Sequence, residues 1–255
     1  MILVLDIGNT NITLGVYEGK KLLFVSRMAT DQRRMEDQYA IELKDILDIH
    51  GVSCRQIEGS AISSVVPSVN LYLKRAIRRL TGTEPICVGE GTETGIQIDL
   101  SSGETVGADL LVGCVAAAEL FHDPCIIIDM GTATTFVVLD ENRKMIGGAI
   151  APGVGISLDA LTSHTAQLPS VSLESPAHFI GGSTAECMRS GLINGTACMI
   201  DGMCEHMEKE LGKKCSVIAT GGLSKDIIQY CERDIMFCDT LLLEGLRIIY
   251  EKNKP

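Results

Sequence analysis

The chain says nearly the same thing twice. "LDIGNTNITLGVYEGKK" begins at Leu5 and "IDMGTATTFVVLDENRK" begins at Ile128. Each runs from an apolar strand into an aspartate, an apolar residue, a glycine and a few small residues. An apolar strand and a charged turn follow. The aspartates are Asp6 and Asp129, and 129 − 6 = 123 is close to half of the 255 residues. A repeat at that spacing restricts the chain to two copies of one supersecondary unit. Between the repeats, short apolar runs alternate with helical periodicity, which predicts layered α/β domains.

The repeated turn carries its own chemistry. Gly8 and Gly131 let the backbone turn tightly and let a ligand come close. Asn9, Thr10 and Asn11 in the first copy, and Thr132, Thr134 and Thr135 in the second, offer amide and hydroxyl donors. Successive backbone N–H groups in such turns form a concave anion site. A strand-end aspartate can hold Mg²⁺ through water while the turn holds phosphates. Either turn alone reads equally well as an ordinary hairpin. Two copies at half-chain spacing favour a pair of phosphate turns that clamp a polyphosphate from both sides. A third glycine turn, "ATGGLSK" (219–225), stands at a strand end before a helix. It suits the sugar or base of a nucleotide, or a simple helix cap.

The remaining pattern fits around these turns. Residues 12–28 read as two strands joined at Glu18-Gly19, and 37–51 as a helix stopped by glycine. A buried strand over 59–66 leads through Pro67 into a helix over about 68–80. Residues 107–121 form an apolar helix, 124–150 three strands, 155–165 a short helix and 183–211 a long one. The small residues of that long helix predict close helix contact, within the fold or across a dimer. The expected division is 1–115 and 116–255.

Composition excludes several classes. The net charge of −11 opposes nucleic-acid binding, and the basic run "KRAIRR" (74–79) reads as a solvated helix face. No apolar run is long enough for a transmembrane helix, and the N-terminus reads as a strand rather than a leader. Ten cysteines with no C-x-x-C and no zinc spacing predict buried free thiols in a reducing cytoplasm.

"DIGNTN", "DMGTATT" and "ATGGLS" resemble the two phosphate motifs and the adenosine motif of the acetate kinase, sugar kinase, hsp70 and actin superfamily. Within it, "LDIGNTNITLGVY", "SSVVPS", "ETVGAD", "IDMGTATTF", "GGAIAPGVGIS", "TAQLP" and "IATGGLSK" resemble type III pantothenate kinases, in order from residue 3 to 225. The resemblance implies two similar ribonuclease H-like (actin-like ATPase) domains, each a mixed sheet flanked by helices. It implies an ATP-dependent transfer to pantothenate in a cytoplasmic homodimer, the first step towards coenzyme A. ATP contacts would run through Asp6, Ile7, Gly8, Asn9, Thr10, Asn11, Ile12 and Thr13, with Mg²⁺ at Asp6 through water, and include Thr132. Asp129 would help bind a monovalent cation, K⁺ or ammonium. Asp109 would be the general base and would be favoured in its ionised form at a helix N-terminus. Gly107, Ala108, Asp109 and Leu110 would line the pantothenate site. Thr184 would reach pantothenate from the partner subunit, its plainer reading being a helix N-cap. His164 reads more simply as a surface histidine than as a substrate contact.

Two positions depart from the family pattern. Leu110 stands where the family has arginine, and Leu100 stands where it commonly has tyrosine. A lost guanidinium removes an anchor for pantothenate's carboxylate. The departures therefore bear on the acceptor, and a kinase for another small hydroxyl compound is the alternative. A ligand-sensing accessory factor in transcription is a second alternative. Retention of Asp6, Asp109 and Asp129 argues against it.

Overall fold

The computed structural model describes residues 1–89, 91–99, 106–121 and 124–254. The chain divides into two compact units. One comprises Met1–Ile96, Gly103–Ala116 and Thr240–Pro255; the other comprises Gln97–Ser102 and Ala117–Asp239. The C-terminal segment groups with the first unit.

In the first unit, β1 (Ile2–Ile7), β2 (Asn11–Glu18), β3 (Lys21–Ala29), β4 (Gly59–Ser64) and β5 (Ile86–Cys87) form a sheet of order β3-β2-β1-β4-β5. The β1–β2–β3 meander is antiparallel, while β4 runs parallel to β1 and β5 parallel to β4. Gly19, at φ 59°, makes the hairpin turn expected after Glu18.

β1 is apolar on both faces because both are covered. Leu3, Leu5 and Ile7 pack with α1 (Glu36–Ile49) and α2 (Pro67–Thr81) through Leu43, Leu47, Leu73 and Ile77. Val4 packs on the other face with Val112 and Val115 of α3 (Ala108–Leu120) and with Leu243, Leu246 and Ile249 of α7 (Leu241–Asn253). That burial returns the C-terminal helix to the first unit. Proline at the first turn starts α2, and Gly82 ends it in the left-handed conformation.

In the second unit, β7 (Cys125–Met130), β8 (Ala133–Leu139), β9 (Lys144–Pro152), β10 (Ser216–Thr220), β11 (Met236–Phe237) and β6 (Gln97–Ile98) form a sheet of order β11-β10-β7-β8-β9-β6. Apart from β6, the order and strand directions repeat those of the first sheet. The internal repeat is therefore a repeat of topology. Two-residue β6 is exposed and lacks a periodicity that would announce it. Ile126, Ile128, Met130, Phe136 and Val138 pack against Leu192, Ile193, Ala197 and Ile200 of α5 (Thr184–Leu211). The remaining helices are α4 (Val154–Ser163) and α6 (Ser224–Ile228).

One expectation changes. The ten cysteines are free, but Cys87, Cys187 and Cys198 are exposed, since apolar context places a thiol on an element without fixing which face it takes. The basic run on α2 lies on a solvated helix face, where exposed Arg75 pairs with Glu36, Arg78 with Glu84 and Arg79 with Asp37. Among the described residues nothing lies within 4 Å of where a Cβ on Gly191, Gly195 or Gly202 of α5 would be. No described helix is long and apolar enough to cross a membrane.

Candidate functional site

Asp6 stands at the carboxyl end of central β1, and Asp129 at the equivalent position of β7. Register surrounds each with hydroxyls. Asp6 lies opposite Thr13 on β2 and Ser63 on β4. Asp129 lies opposite Thr135 on β8 and Thr220 on β10. Register partners share a sheet face, so each carboxylate is flanked by a hydroxyl from either neighbouring strand. Ser63 is fully buried, and its hydroxyl has no hydrogen-bond partner among the described residues. Sequence inspection marks "SSVVPS" as a motif without identifying this hydroxyl, because its neighbour lies on a strand 63 − 6 = 57 residues away.

The turns differ by one residue. Between paired Ile7 and Ile12 lie residues 8–11; between paired Met130 and Thr134 lie residues 131–133. In the first turn Gly8 N donates to Asn11 O at 3.0 Å. Thr30, just beyond β3, braces it: its Oγ1 donates to Gly8 O at 2.7 Å and its N to Thr10 O at 3.0 Å. Asn9, Thr10 and Asn11 are exposed at the tip. Ile7 and Ile12 are fully buried in the α1–α2 core, so only their backbone can reach a ligand.

In the second turn Gly131 N donates to Ala133 O at 3.0 Å, and Thr132 is exposed. Two glycines from elsewhere press on it. A Cβ on Gly221, whose φ is 98°, would lie 2.6 Å from Met130 C and O and 2.7 Å from Asp129 Oδ1. A Cβ on Gly153 would lie 2.7 Å from Gly131 O and would collide with Thr132 O. The "ATGG" turn and the "APG" turn therefore close on the second aspartate turn at backbone distance. Thr134 is also buried, with a hydroxyl lacking a partner among the described residues.

Asp109 opens α3. It precedes Val112 by one helical turn, and Val112 packs in the cluster that contains Val4. Asp6, two residues after Val4, lies on that same face of the first sheet. Asp109 Oδ1 accepts a hydrogen bond from Leu110 N at 2.8 Å, and a Cβ on Gly107 would intrude to 2.6 Å from the same oxygen. Burial pushes the Asp109 carboxyl above the usual carboxylate range, with hydrogen bonds from the Leu110 and Asp109 amides opposing the shift. This corrects the expectation that the helix N-terminus would favour the ionised form: desolvation outweighs the amides. A carboxyl of raised affinity for protons is better matched to accepting one near neutral pH. Ala108 and Leu110 are half-buried beside it.

The softer candidates are placed simply. Ser183, not Thr184, caps α5: its Oγ accepts from Glu186 N at 3.3 Å, and Glu186 Oε2 accepts from Gly182 N at 2.8 Å. Thr184 is exposed. His164 is an exposed residue ending α4. Leu100 lies outside the described residues.

The type III pantothenate kinase family profile matches residues 2–206. A type III pantothenate kinase of an Exiguobacterium species is 42% identical over 254 residues, all of both chains. One from Moorella thermoacetica is 40% identical, covering 99% of this chain and all of its own. Among solved structures, a putative Baf family transcriptional activator from Campylobacter jejuni aligns with a TM-score of 0.62 at 17% identity, over 99% of this chain and 98% of its own. A putative 2-dehydro-3-deoxygalactonokinase from Sinorhizobium meliloti aligns with 0.57 at 14% identity, over 100% and 97%. These structural likenesses show the fold that the chain shares with them.

Proposed function

The chain belongs to the type III pantothenate kinase family, and on that premise we propose that it transfers the γ-phosphoryl group of ATP to the primary hydroxyl of pantothenate. The product is 4′-phosphopantothenate, and the reaction opens coenzyme A biosynthesis. The observation that carries the site assignment is Asp109: a half-buried carboxyl at the start of α3, raised in proton affinity, on the sheet face that bears Asp6.

In this reading the backbone amides and polar side chains of residues 8–11 hold the phosphates, with Thr132 as a further ATP contact. Asp109 accepts a hydrogen bond from the pantothenate hydroxyl and orients its oxygen towards the γ-phosphorus. As the new P–O bond forms and the bond to ADP breaks, the hydroxyl proton passes to Asp109. In a loose transition state the proton moves late, so orientation is the larger part of the task. Gly107, Ala108 and Leu110 line the acceptor site, and Thr184 reaches the pantothenate of a partner subunit.

The donor chemistry suits Mg²⁺ and a monovalent cation. Asp6 with the Thr13 and Ser63 hydroxyls, and Asp129 with those of Thr135 and Thr220, are hard oxygen donors. Among the described residues no three His, Cys, Asp or Glu side chains cluster as a metal cage. Mg²⁺ would neutralise phosphate charge, and K⁺ or ammonium would do so near Asp129.

A homodimer accords with α5. Gly191, Gly195, Cys198 and Gly202 follow at intervals of 4, 3 and 4, and the first three are exposed. A second copy can approach such a face closely, and a symmetric pair would bring the same face together twice.

Leu110 supports a second reading, in which the acceptor lacks pantothenate's carboxylate. Turnover with a panel of pantothenate, pantetheine and pantothenamides separates the two. Selective phosphorylation of pantothenate supports the first, and turnover of the neutral compounds alone overturns it.

A further inference from the structure

At three of the contacts that α7 makes in the first unit, those with β2, β4 and α3, a glycine stands. A Cβ on Gly15 of β2 would approach Leu243 Cδ1 to 3.0 Å. A Cβ on Gly59 of β4 would fall 2.5 Å from Tyr250 Cε2 and Cζ. The third glycine belongs to α7 itself. A Cβ on Gly245 would collide with Val112 O and lie 2.8 Å from Val112 Cγ1 and 3.0 Å from Val112 C. Here a buried glycine lets one helix seat against the backbone of another. Val112 is one turn beyond Asp109 on α3.

The same helix is held firmly on the sheet. Arg247, 4% exposed, stacks its guanidinium 5.9 Å from the Tyr17 ring centre and pairs with Glu244 and with Glu251 at 2.9 Å. At its end, Asn253 exchanges hydrogen bonds with Glu93, accepting from Glu93 N at 2.9 Å and donating to Glu93 O at 2.8 Å. Lys252 Nζ donates to Thr94 O at 3.2 Å. α7 thus has one face locked to the strands that carry Asp6 and its turn, and one glycine open to the helix that carries Asp109. We propose that Gly245 is a positioning residue for the reaction: it sets how deeply α3 seats against α7, and thereby where the Asp109 carboxylate stands relative to β1. The proposal rests on the reading of Asp109 as the base. A methyl group at 245 has only α3 to push, since α7 is pinned by Leu243, Arg247 and Tyr250.

The test compares steady-state kinetics of Gly245→Ala, Val112→Ala and Leu246→Ala. Leu246 is a fully buried neighbour on α7, and its truncation loosens the same core without pressing on α3. Displacing a reacting group by about 1 Å can cost about a hundredfold in rate, so Gly245→Ala is expected to lower kcat by roughly ten- to a hundredfold. KM for ATP stays within about twofold, because the phosphate turn is not moved. Val112→Ala relaxes the contact from the α3 side with a cavity rather than a clash, and lowers kcat by roughly threefold or more at unchanged KM for ATP. Leu246→Ala lowers Tm and keeps kcat. Wild-type kcat in the Gly245 and Val112 variants, or kcat losses that merely track Tm in all three, would overturn the proposal. Should Gly245→Ala fail to fold, Val112→Ala against Leu246→Ala decides alone. Failure of the base reading shows separately, as full activity of Asp109→Asn.

Discussion

Gly221→Ala places a methyl group where the third glycine turn meets the second aspartate. Gly221 has φ 98°, and its Cβ would sit 2.6 Å from Met130 C and O and 2.7 Å from Asp129 Oδ1. Two penalties add. Holding an L-residue in that backbone region costs about 1–3 kcal/mol. Overpacking against backbone that cannot yield costs about 1–3 kcal/mol more. The sum is about 2–6 kcal/mol, taking the lower and upper bounds together. In a chain of this size each kcal/mol shifts Tm by roughly 2–4 °C, so even the lower bound implies a fall of roughly 4–8 °C. The methyl group also presses on Asp129 Oδ1, so the proposed activation by K⁺ or ammonium should weaken at the same time. Thermal unfolding and a titration of rate against monovalent cation read the two effects. A Gly221→Ala protein with unchanged Tm and unchanged cation response would refute the close approach of these turns.

Asp109→Asn removes a carboxyl that burial holds above its ordinary value of 3.8. A raised folded-state pKa gives stability that is present below 3.8 and lost as pH rises through the folded value. Unfolding scans are therefore expected to show Asp109→Asn more stable than the parent at neutral pH, with the gap closing in strong acid. Leu110→Arg restores a guanidinium beside the acceptor site; a charge-assisted hydrogen bond of about 1.5–3 kcal/mol should lower KM for pantothenate by about tenfold or more, read from initial rates. Gly195→Leu puts a large side chain on the open stripe of α5, and light scattering should find monomer in place of dimer.

Much of this architecture is legible in the sequence because it depends on local rules. The strands around Asp6 and Asp129 are apolar runs closed by glycine, and the hairpins are punctuated at Gly19 and at Asp140–Arg143. Pro67 and Gly82 bracket α2. What the sequence leaves unread depends on long-range pairing. Ser63 and Thr220 become neighbours of the aspartates only when crossovers bring β4 and β10 alongside β1 and β7. The motifs that hold Gly153 and Gly221 stand out in the sequence, but only folding brings those glycines against the second turn. The amphipathic pattern of α7 announces a helix without saying which sheet it covers. The helix N-terminus at Asp109 is visible in "GAD", but the burial that reverses its electrostatic effect is a property of the packed α3.

The most direct measurement is ADP release by the purified protein with ATP, Mg²⁺ and ammonium, with and without pantothenate, for the parent chain and for Asp109→Asn. Release that requires pantothenate in the parent and disappears in Asp109→Asn, while ATP binding persists, is the expected result. Pantothenate-independent release, or an Asp109→Asn protein that turns over as fast as the parent, would contradict the assignment of reaction and base.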